Sequence, residues 1–451
     1  MAAVEADFGA APRDAEPDHH PKVGVMGAAS VVAGNMVGSG VYLLPVTMGA
    51  IGSISLLGWG AATLAAVAIA GVFISLAPRA PEARGMAGFV GAGLGPFWAV
   101  QTTVFYWVGC WVSLVAVALA AAGAAGFLFP ALAAPGPRLA TTIAMIWVGI
   151  GIAWMGSRAV ARAQGLTLAL GLLPVIATAS VGWAFFHPEI LRQSWNPTGL
   201  TTFAAVRGSA LSAFWAFLGL EAAAATSGIV RNPARNVPRA TALGLGGVTV
   251  LYLASNAAIM GILPASALAA SSAPFADAAK IAMGAGAGVA IALCVFIRVT
   301  GCLCVISLVT AETSRSAADG GAFFGVFRSR PGERRSVVGL LAAGALTTGL
   351  ALATATPDLA AQFSTVANVV SLLSLYAYGL SAASLLALLR GERRAIAPTI
   401  TAVAAIGFCL LLVASGKPLE IGYTLIPVVA ATGLYLALRR RQTLFGSDGI
   451  I

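Results

Sequence analysis

Charged residues are scarce in this sequence. Only 9% of its 451 residues are Asp, Glu, Lys or Arg, whereas soluble domains carry about 25%. At the same time 59% of the residues are hydrophobic, which is more apolar surface than a soluble core can hide. The scarcity of charge excludes an ordinary soluble protein and indicates a chain whose surface faces a lipid bilayer.

Histidine and cysteine are also rare, with three and five residues. The cysteines all fall in apolar stretches, and none has the spacing of a zinc site or of a disulfide framework. No HExxH or GxSxG motif occurs in a fitting context. No connection between apolar stretches is long enough for a soluble catalytic or nucleic-acid-binding module. We therefore expect no enzyme activity, no cofactor, no metal site and no nucleic-acid partner.

Apolar stretches of about 20 residues recur along the chain, and each is long enough to cross a bilayer as a helix. We predict an all-α polytopic membrane protein with twelve spans. The spans are 23–47, 53–78, 96–127, 138–157, 162–187, 201–230, 239–263, 277–311, 336–354, 359–389, 395–416 and 419–438. A disordered cytoplasmic tail (1–22) precedes this transmembrane domain (23–438), and a second cytoplasmic tail (439–451) follows it.

Basic residues are distributed unequally between the loops. The loops after even-numbered spans contain 18 arginines, whereas the alternate loops contain only Arg138, Arg192, Lys280 and Lys417. The positive-inside rule assigns the arginine-rich side to the cytoplasm. The net charge of +10 is thus a topology signal, and it predicts that both termini are cytoplasmic.

The first span contains a stretch that disfavours a continuous helix, "GNMVGSGVYLLPV" at 34–46. Glycine costs about 1 kcal/mol and proline about 3 kcal/mol relative to alanine inside a helix. Transporters place such breaks at the substrate site, where amide groups at the start of a half-helix bind carboxylates. Gly38, Ser39 and Gly40 suit that role because two of them lack a side chain and Ser39 adds a hydroxyl. A tight helix–helix contact built on small residues is the alternative.

The sixth span contains a carboxylate in its apolar stretch "SAFWAFLGLEAAAAT" (212–226). An ionisable residue inside a membrane is costly and marks a functional site by default, so Glu221 is our candidate for proton coupling. Pairing with another buried group is the structural alternative. The first and sixth spans are five apart, the spacing expected of two inverted five-helix repeats that each open with a discontinuous helix. These repeats would cover about 23–187 and 201–389, with helices 11 and 12 at 395–438.

Four stretches together resemble the bacterial arginine/agmatine antiporters, a branch of the amino acid/polyamine/organocation superfamily. They are "GNMVGSGVYLLP", "TVFYWVGCW" (103–111), "FWAFLGLE" (214–221) and "NPARNVPRAT" (232–241). The resemblance runs colinearly over nearly the whole chain. It implies a LeuT-like inverted repeat of 5+5 helices plus two further helices, in an inner-membrane protein that is often a homodimer. It also implies sodium-independent exchange of an external amino acid for an internal amine.

The resemblance also implies roles for individual residues. Ser39 and the backbone around Gly38 and Gly40 would hold the α-carboxylate of the substrate, and backbone carbonyls near Trp215 and Leu218 would bind its α-ammonium group. Trp215 would stack on the substrate side chain.

Two further roles follow from the resemblance. Tyr106 would belong to a gate on the periplasmic side. Glu221 would be the proton-sensitive carboxylate linked to exchange.

The side-chain end of the implied pocket departs from the family. Positions that carry an asparagine, a methionine and a tryptophan in arginine/agmatine antiporters are Leu114, Val117 and Ile306 here. Gly109 and Cys110, on the same face of the third helix, still fit. The loss of an amide and an aromatic ring removes much of what would recognise a guanidinium. The resemblance therefore predicts the scaffold, whereas the substrate side chain stays open.

Arg298, in the eighth span, has no counterpart in the family. A guanidinium inside a membrane needs a partner or water. It could pair with Glu221, it could face the substrate cavity and disfavour cationic substrates, or it could snorkel to the membrane surface away from the pathway.

The sequence as a whole predicts a small-molecule transporter of the alternating-access type, in which an amino acid is exchanged for a related amine or amino acid. A proton-coupled symporter or uniporter on the same fold is the first alternative. A non-transporting membrane sensor, left after loss of the pocket side chains, is the second.

Overall fold

α-Helices make up nearly all of the structure. The computed structural model describes residues 24–38, 40–83, 85–221, 230–330, 332–333, 335–392 and 395–445. The predictions for Ser39, for the N-terminal tail and for the last six residues lie outside these described residues. The helices are α1 (Val25–Met36), α2 (Gly40–Ile51), α3 (Ser55–Leu76), α4 (Gly85–Leu94), α5 (Pro96–Leu128), α6 (Pro135–Trp154), α7 (Ser157–Ser180), α8 (Pro188–Gln193), α9 (Thr202–Phe214), α10 (Pro233–Ile262), α11 (Ala265–Ala270), α12 (Pro274–Met283), α13 (Ala285–Asp319), α14 (Val337–Ala353), α15 (Leu359–Leu388), α16 (Ile396–Val413) and α17 (Pro418–Phe445).

Eleven of the twelve predicted membrane spans correspond to helices of the described residues, and the sixth is helical in its first part. Nine helical segments of the described residues are long and apolar enough to cross a bilayer, and the bent pair α1 and α2 makes a tenth. The 17-residue apolar helix α14 corresponds to the ninth predicted span, and α9 begins the sixth. The all-α fold class is therefore confirmed.

Several predicted boundaries were wrong, and two of the differences have a clear local cause. The predicted span 277–311 is two helices, because Gly284 adopts φ +92° and ends α12 before α13 begins. Helix α10 starts at Pro233 rather than at residue 239, since proline is favoured at the first position of a helix.

Hydrogen bonds between loops show that alternate loops lie together. After α3, Arg79 donates to both carboxylate oxygens of Glu392, in the loop after α15. These hydrogen bonds hold the pKa of Glu392, which lies outside the spans, below its usual value. On the other side, Arg138 donates to the carbonyls of Thr356 and Pro357, between α14 and α15. The alternation agrees with the predicted topology, and the cytoplasmic assignment of the arginine-rich side stays a prediction.

The centre of the fold is α5, whose residues are mostly buried. It packs against α13 and α15. Its alanine-rich second half, Ala116–Gly126, has almost no exposed surface. Small residues let helices approach closely where lipid supplies no hydrophobic drive for association. This explains the density of alanine and glycine in the middle of the chain.

Helices α7 and α13 approach so closely that glycine is required on both. A Cβ atom at Gly301 would overlap with the side chain of Thr167, and one at Gly171 would overlap with the stem of Arg298. We expect Gly301→Ala to lower stability by about 1–3 kcal/mol through overpacking, measured by thermal unfolding in detergent. The matched control is Gly286→Ala on the same helix, where a Cβ meets no atom within 4 Å. Equal unfolding temperatures for the two variants would contradict this contact.

Candidate functional site

Two interrupted helices meet in the interior of the protein. Helix α1 ends at Met36 and α2 begins at Gly40, with an angle of 51° between them. Helix α9 ends at Phe214 and is followed by one 3₁₀ turn. The chain then turns at Gly219, which adopts φ +96°. A Cβ at Gly219 would lie 3.1 Å from the carbonyl oxygen of Asn35, so the two breaks are in direct contact.

The indole of Trp215 lies on the first residue of α2. A Cβ atom at Gly40 would overlap with the Trp215 ring, and this explains why the position is glycine. The indole is only 7% exposed and contacts the Phe363 ring edge-on at 6.3 Å between centroids. Around Gly38 there is more room, since its nearest neighbours would be the Met36 carbonyl at 3.9 Å and the Cys302 sulfur at 4.0 Å. The start of α2 and Trp215 thus form two sides of one site.

The start of α2 has the chemistry of an anion site. The first amide groups of a helix have no partner within the helix, and the helix dipole makes that end positive. No side chain at Gly38 or Gly40 blocks the approach of a ligand to the backbone. A carboxylate could therefore bind at this end and be covered by Trp215, as the resemblance implies.

The carbonyls implied to bind an ammonium group are partly engaged. The amide of Leu218 donates to the carbonyl of Trp215 at 3.3 Å, which closes the 3₁₀ turn. A carbonyl oxygen accepts two hydrogen bonds, so Trp215 retains one acceptor site. Leu218 itself is extended, with ψ 143°.

The carboxylate of Glu221 is surrounded by donors. The hydroxyl of Tyr378, on α15, donates to it at 2.6 Å, and the amides of Gly219 and Glu221 also contact it. Glu221 forms no ion pair with any basic side chain of the described part of the chain. It therefore lies at the α9 break, held by neutral donors.

Tyr378 was not predicted from the sequence. A signal did exist, because Tyr378 lies seven residues after Ser371 and four after Ser374 on the same helix. These spacings place the three residues on one face. A tyrosine in an apolar helix is otherwise typical of a residue in the packed core.

Tyr106 and Cys110 extend the cluster from α5. They lie one helical turn apart, and both lie near the carboxylate of Glu221. Between them, a Cβ at the buried Gly109 would meet no atom within 4 Å. The structure thus brings together Tyr106, Cys110 and Glu221 beside an internal space at Gly109.

Tyr106 lies in the first half of α5, ten residues after its start at Pro96. That start follows the arginine-rich loop between α3 and α4, so Tyr106 is nearer to the arginine-rich side than to the opposite side. Its role in a periplasmic gate, which the resemblance implies, stays a prediction.

The side chains that depart from the family are apolar contacts. Leu114 and Val117 are completely buried in the core. Ile306, on α13, is partly buried against the same core. None of the three takes part in the hydrogen bonds around Glu221.

Arg298 is buried and binds the end of α1. Only 1% of Arg298 is exposed. Its Nη2 donates to the Val37 carbonyl at 2.6 Å and its Nε to the same oxygen at 3.2 Å. Nη2 also reaches the Gly34 carbonyl at 3.4 Å, and Nη1 donates to Oε1 of Gln164 on α7 at 2.9 Å.

These contacts correct two of the alternatives for Arg298. Snorkelling is wrong, because the guanidinium is buried at the helix break. Pairing with Glu221 is not observed, since among the residues described Arg298 forms no ion pair with a carboxylate. Sequence spacing could not reveal that its partners are backbone carbonyls freed by the break.

A second polar network reaches α9 from the outermost helix. The Ser212 hydroxyl donates to Oδ1 of Asn368 at 3.0 Å, and Nδ2 of Asn368 donates to Glu420 at 3.2 Å. Glu420 is 2% exposed and caps the start of α17 by accepting from the Lys417 amide. Asn368 thus joins three helices, α9, α15 and α17.

No metal centre is found in the part of the chain that the structure describes, since no three His, Cys, Asp or Glu side chains come together there. The site consists instead of two half-helix ends, an aromatic cover and the half-buried carboxylate of Glu221. This combination defines a class of protein: α-helical membrane proteins whose discontinuous helices form an internal site, which is typical of secondary transporters.

The chain belongs to the amino acid permease family, whose sequence model matches residues 23–433. The cadaverine/lysine antiporter of Escherichia coli (strain K12) is 37% identical over 263 residues, or 58% of this chain and 59% of that protein. The putrescine transporter PotE of Haemophilus influenzae is 31% identical over 371 residues, covering 82% of this chain and 85% of the relative. PotE of Escherichia coli (strain K12) is 31% identical over 364 residues, covering 81% and 83%.

These comparisons confirm the family. The match to the cadaverine/lysine antiporter spans less than two thirds of that protein's length. The names of these relatives describe transporters rather than enzymes, in agreement with the expectation of no enzyme activity. The names mention lysine, cadaverine and putrescine, and none mentions arginine or agmatine. The arginine/agmatine part of the resemblance therefore stays a prediction.

Proposed function

We propose that this protein exchanges a basic amino acid for a related amine across the bacterial inner membrane by alternating access. The observation that carries the proposal is the contact between the two helix breaks, with Trp215 on Gly40 at one end and Glu221 at the other. Half-helix ends bind the charged groups of small substrates. A homodimer is part of the same proposal.

The substrate would lie along the breaks. Its carboxylate would bind the amides at the start of α2, and its α-ammonium group would bind the free acceptor site of the Trp215 carbonyl. Its side chain would run under the indole of Trp215 toward the space beside Gly109. This orientation gives a role to the amides at the start of α2, to the free acceptor site of the Trp215 carbonyl and to the space beside Gly109, none of which is explained by packing alone.

Glu221 would couple exchange to protons. When ionised it offers a negative charge to a cationic substrate, and when protonated it does not. Protonation of Glu221 would change the local charge by a full unit. Exchange would then depend on pH.

Lysine and cadaverine are the first substrates to test. The relative with the higher identity is named for them, and the apolar residues Leu114, Val117 and Ile306 leave a guanidinium without the amide and indole partners that the resemblance would supply. A flexible alkyl-ammonium side chain needs fewer directional partners than a planar guanidinium. Arginine and agmatine form the second pair.

The test is uptake of labelled lysine into proteoliposomes that are either loaded with cadaverine or empty. We expect uptake only into loaded vesicles. Equal uptake into empty vesicles would favour the symporter or uniporter. Absence of uptake with both the lysine and the arginine pair would contradict the proposed function.

A further inference from the structure

Arg298 places a fixed positive charge at the end of α1, and this charge has no role in the exchange proposed above. The dipole of a helix makes its C-terminal end negative, and its last carbonyls lack partners within the helix. Here Arg298 binds the carbonyls of Gly34 and Val37. The hydroxyl of Tyr252, on α10, donates to the Met36 carbonyl at 2.8 Å. Two side chains therefore cap one helix end, although a neutral donor such as Tyr252 suffices for capping.

The fold makes room for the guanidinium at this place. The stem of Arg298 crosses α7 at Gly171, where any side chain would collide with it. Gln164, seven residues before Gly171 on α7, accepts a hydrogen bond from Nη1 of Arg298. The charge itself is the feature that only arginine or lysine supplies.

The charge lies close to the candidate carboxylate site. The Val37 carbonyl that Arg298 binds at 2.6 Å belongs to the peptide bond that joins Val37 to Gly38. Because consecutive Cα atoms are about 3.8 Å apart, the guanidinium lies within roughly 12 Å of the Gly40 amide at the start of α2. Cys302, one helical turn after Arg298 on α13, would be 4.0 Å from a Cβ at Gly38. This face of α13 thus borders the α1–α2 break.

No carboxylate within the described ranges neutralises this charge by an ion pair. Its partners are carbonyl oxygens and an amide oxygen, which are polar but uncharged. Part of its field is offset by the helix dipole, which is equivalent to about half a charge. A net positive potential therefore remains at the end of the site where the substrate carboxylate would bind.

We propose that Arg298 is a specificity-determining residue whose fixed charge favours substrates with an α-carboxylate over their decarboxylated amines. This inference rests on the proposed function. The residue acts on the substrate at a distance rather than by contact. The two exchanged substrates differ by that one negative charge, so Arg298 sets the ratio of their affinities. At a distance of roughly 12 Å and an effective dielectric constant of about 20, Coulomb's law corresponds to a change on the order of tenfold in that ratio.

The experiment measures the dissociation constants of lysine and cadaverine for purified protein by isothermal titration calorimetry. We expect Arg298→Gln to reduce the preference for lysine over cadaverine about tenfold, by weakening lysine binding and strengthening cadaverine binding. Arg298→Lys retains the charge and is expected to retain the preference. Tyr252→Phe is the matched control, because it removes a cap from the same helix end without a change of charge; its preference should stay within about twofold of wild type.

A second variant tests the charge without removing the cap. Gln164→Glu keeps the Arg298 side chain and its hydrogen bond to position 164 while it adds a neutralising negative charge. We expect it to reduce the lysine preference in the same direction as Arg298→Gln, and this test decides if Arg298→Gln fails to fold.

The outcomes separate the two proposals. Equal losses of lysine and cadaverine affinity in Arg298→Gln, with an unchanged ratio in Gln164→Glu, would overturn the inference and leave Arg298 as a helix cap. In that case the proposed exchange would still stand. Failure of wild-type protein to bind either compound, or arginine and agmatine in their place, would instead overturn the proposed function and the inference with it.

Discussion

Exchange by a Glu221→Gln protein is expected to lose its dependence on pH. Glutamine has nearly the shape of the carboxyl group, and it can still accept from Tyr378, which donates to Glu221 at 2.6 Å. It cannot gain or release a proton. The ratio of exchange rates at acidic and neutral pH should therefore fall to about one, while rates at the wild-type optimum fall by tenfold or more if protonation drives a step of the cycle. Counterflow in proteoliposomes at a series of pH values measures both quantities.

Glu420→Gln provides a matched control for this prediction. Glu420 is a second carboxylate inside the protein and is buried, but it caps the start of α17 and is linked to α9 through Asn368. Its replacement should leave the pH dependence in place. If exchange became independent of pH in Glu420→Gln and stayed dependent on pH in Glu221→Gln, the coupling carboxylate would be Glu420, and the prediction would be wrong.

Gly40→Ala is expected to reduce exchange by roughly 100-fold, because misplacement of a site by about 1 Å has effects of that size. The added methyl group would overlap with the indole of Trp215. Either the indole must leave its position on Phe363 or the start of α2 must move. Both changes disrupt the surface that would hold the carboxylate and the side chain of the substrate. Labelled lysine uptake into cadaverine-loaded vesicles measures the loss.

The control for Gly40→Ala is Gly60→Ala on the neighbouring helix α3. A Cβ at Gly60 meets no atom within 4 Å, so the variant should exchange at a rate close to wild type. Thermal unfolding of both variants separates loss of the site from loss of the fold. Normal exchange by a folded Gly40→Ala protein would show that Trp215 and the start of α2 do not form the site.

The sequence was sufficient to predict the breaks and the buried carboxylate. Glycine and proline are costly inside a helix and a carboxylate is costly inside a membrane, so Gly38, Gly40 and Glu221 stand out against an apolar background. These penalties are local and need no knowledge of the fold. They led to the two places that the structure brings into contact.

The partners of the buried groups could not be predicted. That Tyr378 faces Glu221 depends on how α15 is rotated against α9, and rotation is set by packing over the whole helix. The partners of Arg298 are backbone carbonyls, which have no signature in the sequence. The lack of a side chain at Gly171 leaves room for the stem of Arg298, and this explains how the guanidinium can reach the end of α1.

The boundary errors have a similar cause. The junction between α12 and α13 reads "IAMGAGAG" (281–288) and contains no charged residue, so hydropathy merged the two helices. The separation results from the positive φ of Gly284. Glycine permits this conformation, but the presence of a glycine in a sequence does not predict it. Hydropathy thus located the membrane segments but not the turns within them.

An experimental structure with bound lysine tests the central claim most directly. The account predicts the carboxylate within hydrogen-bonding distance of the amides at the start of α2, with the alkyl chain against the indole of Trp215 and the protein otherwise as described. Lysine bound away from both helix breaks, for example in the cavity of about 240 Å³ beside Arg138, would contradict it.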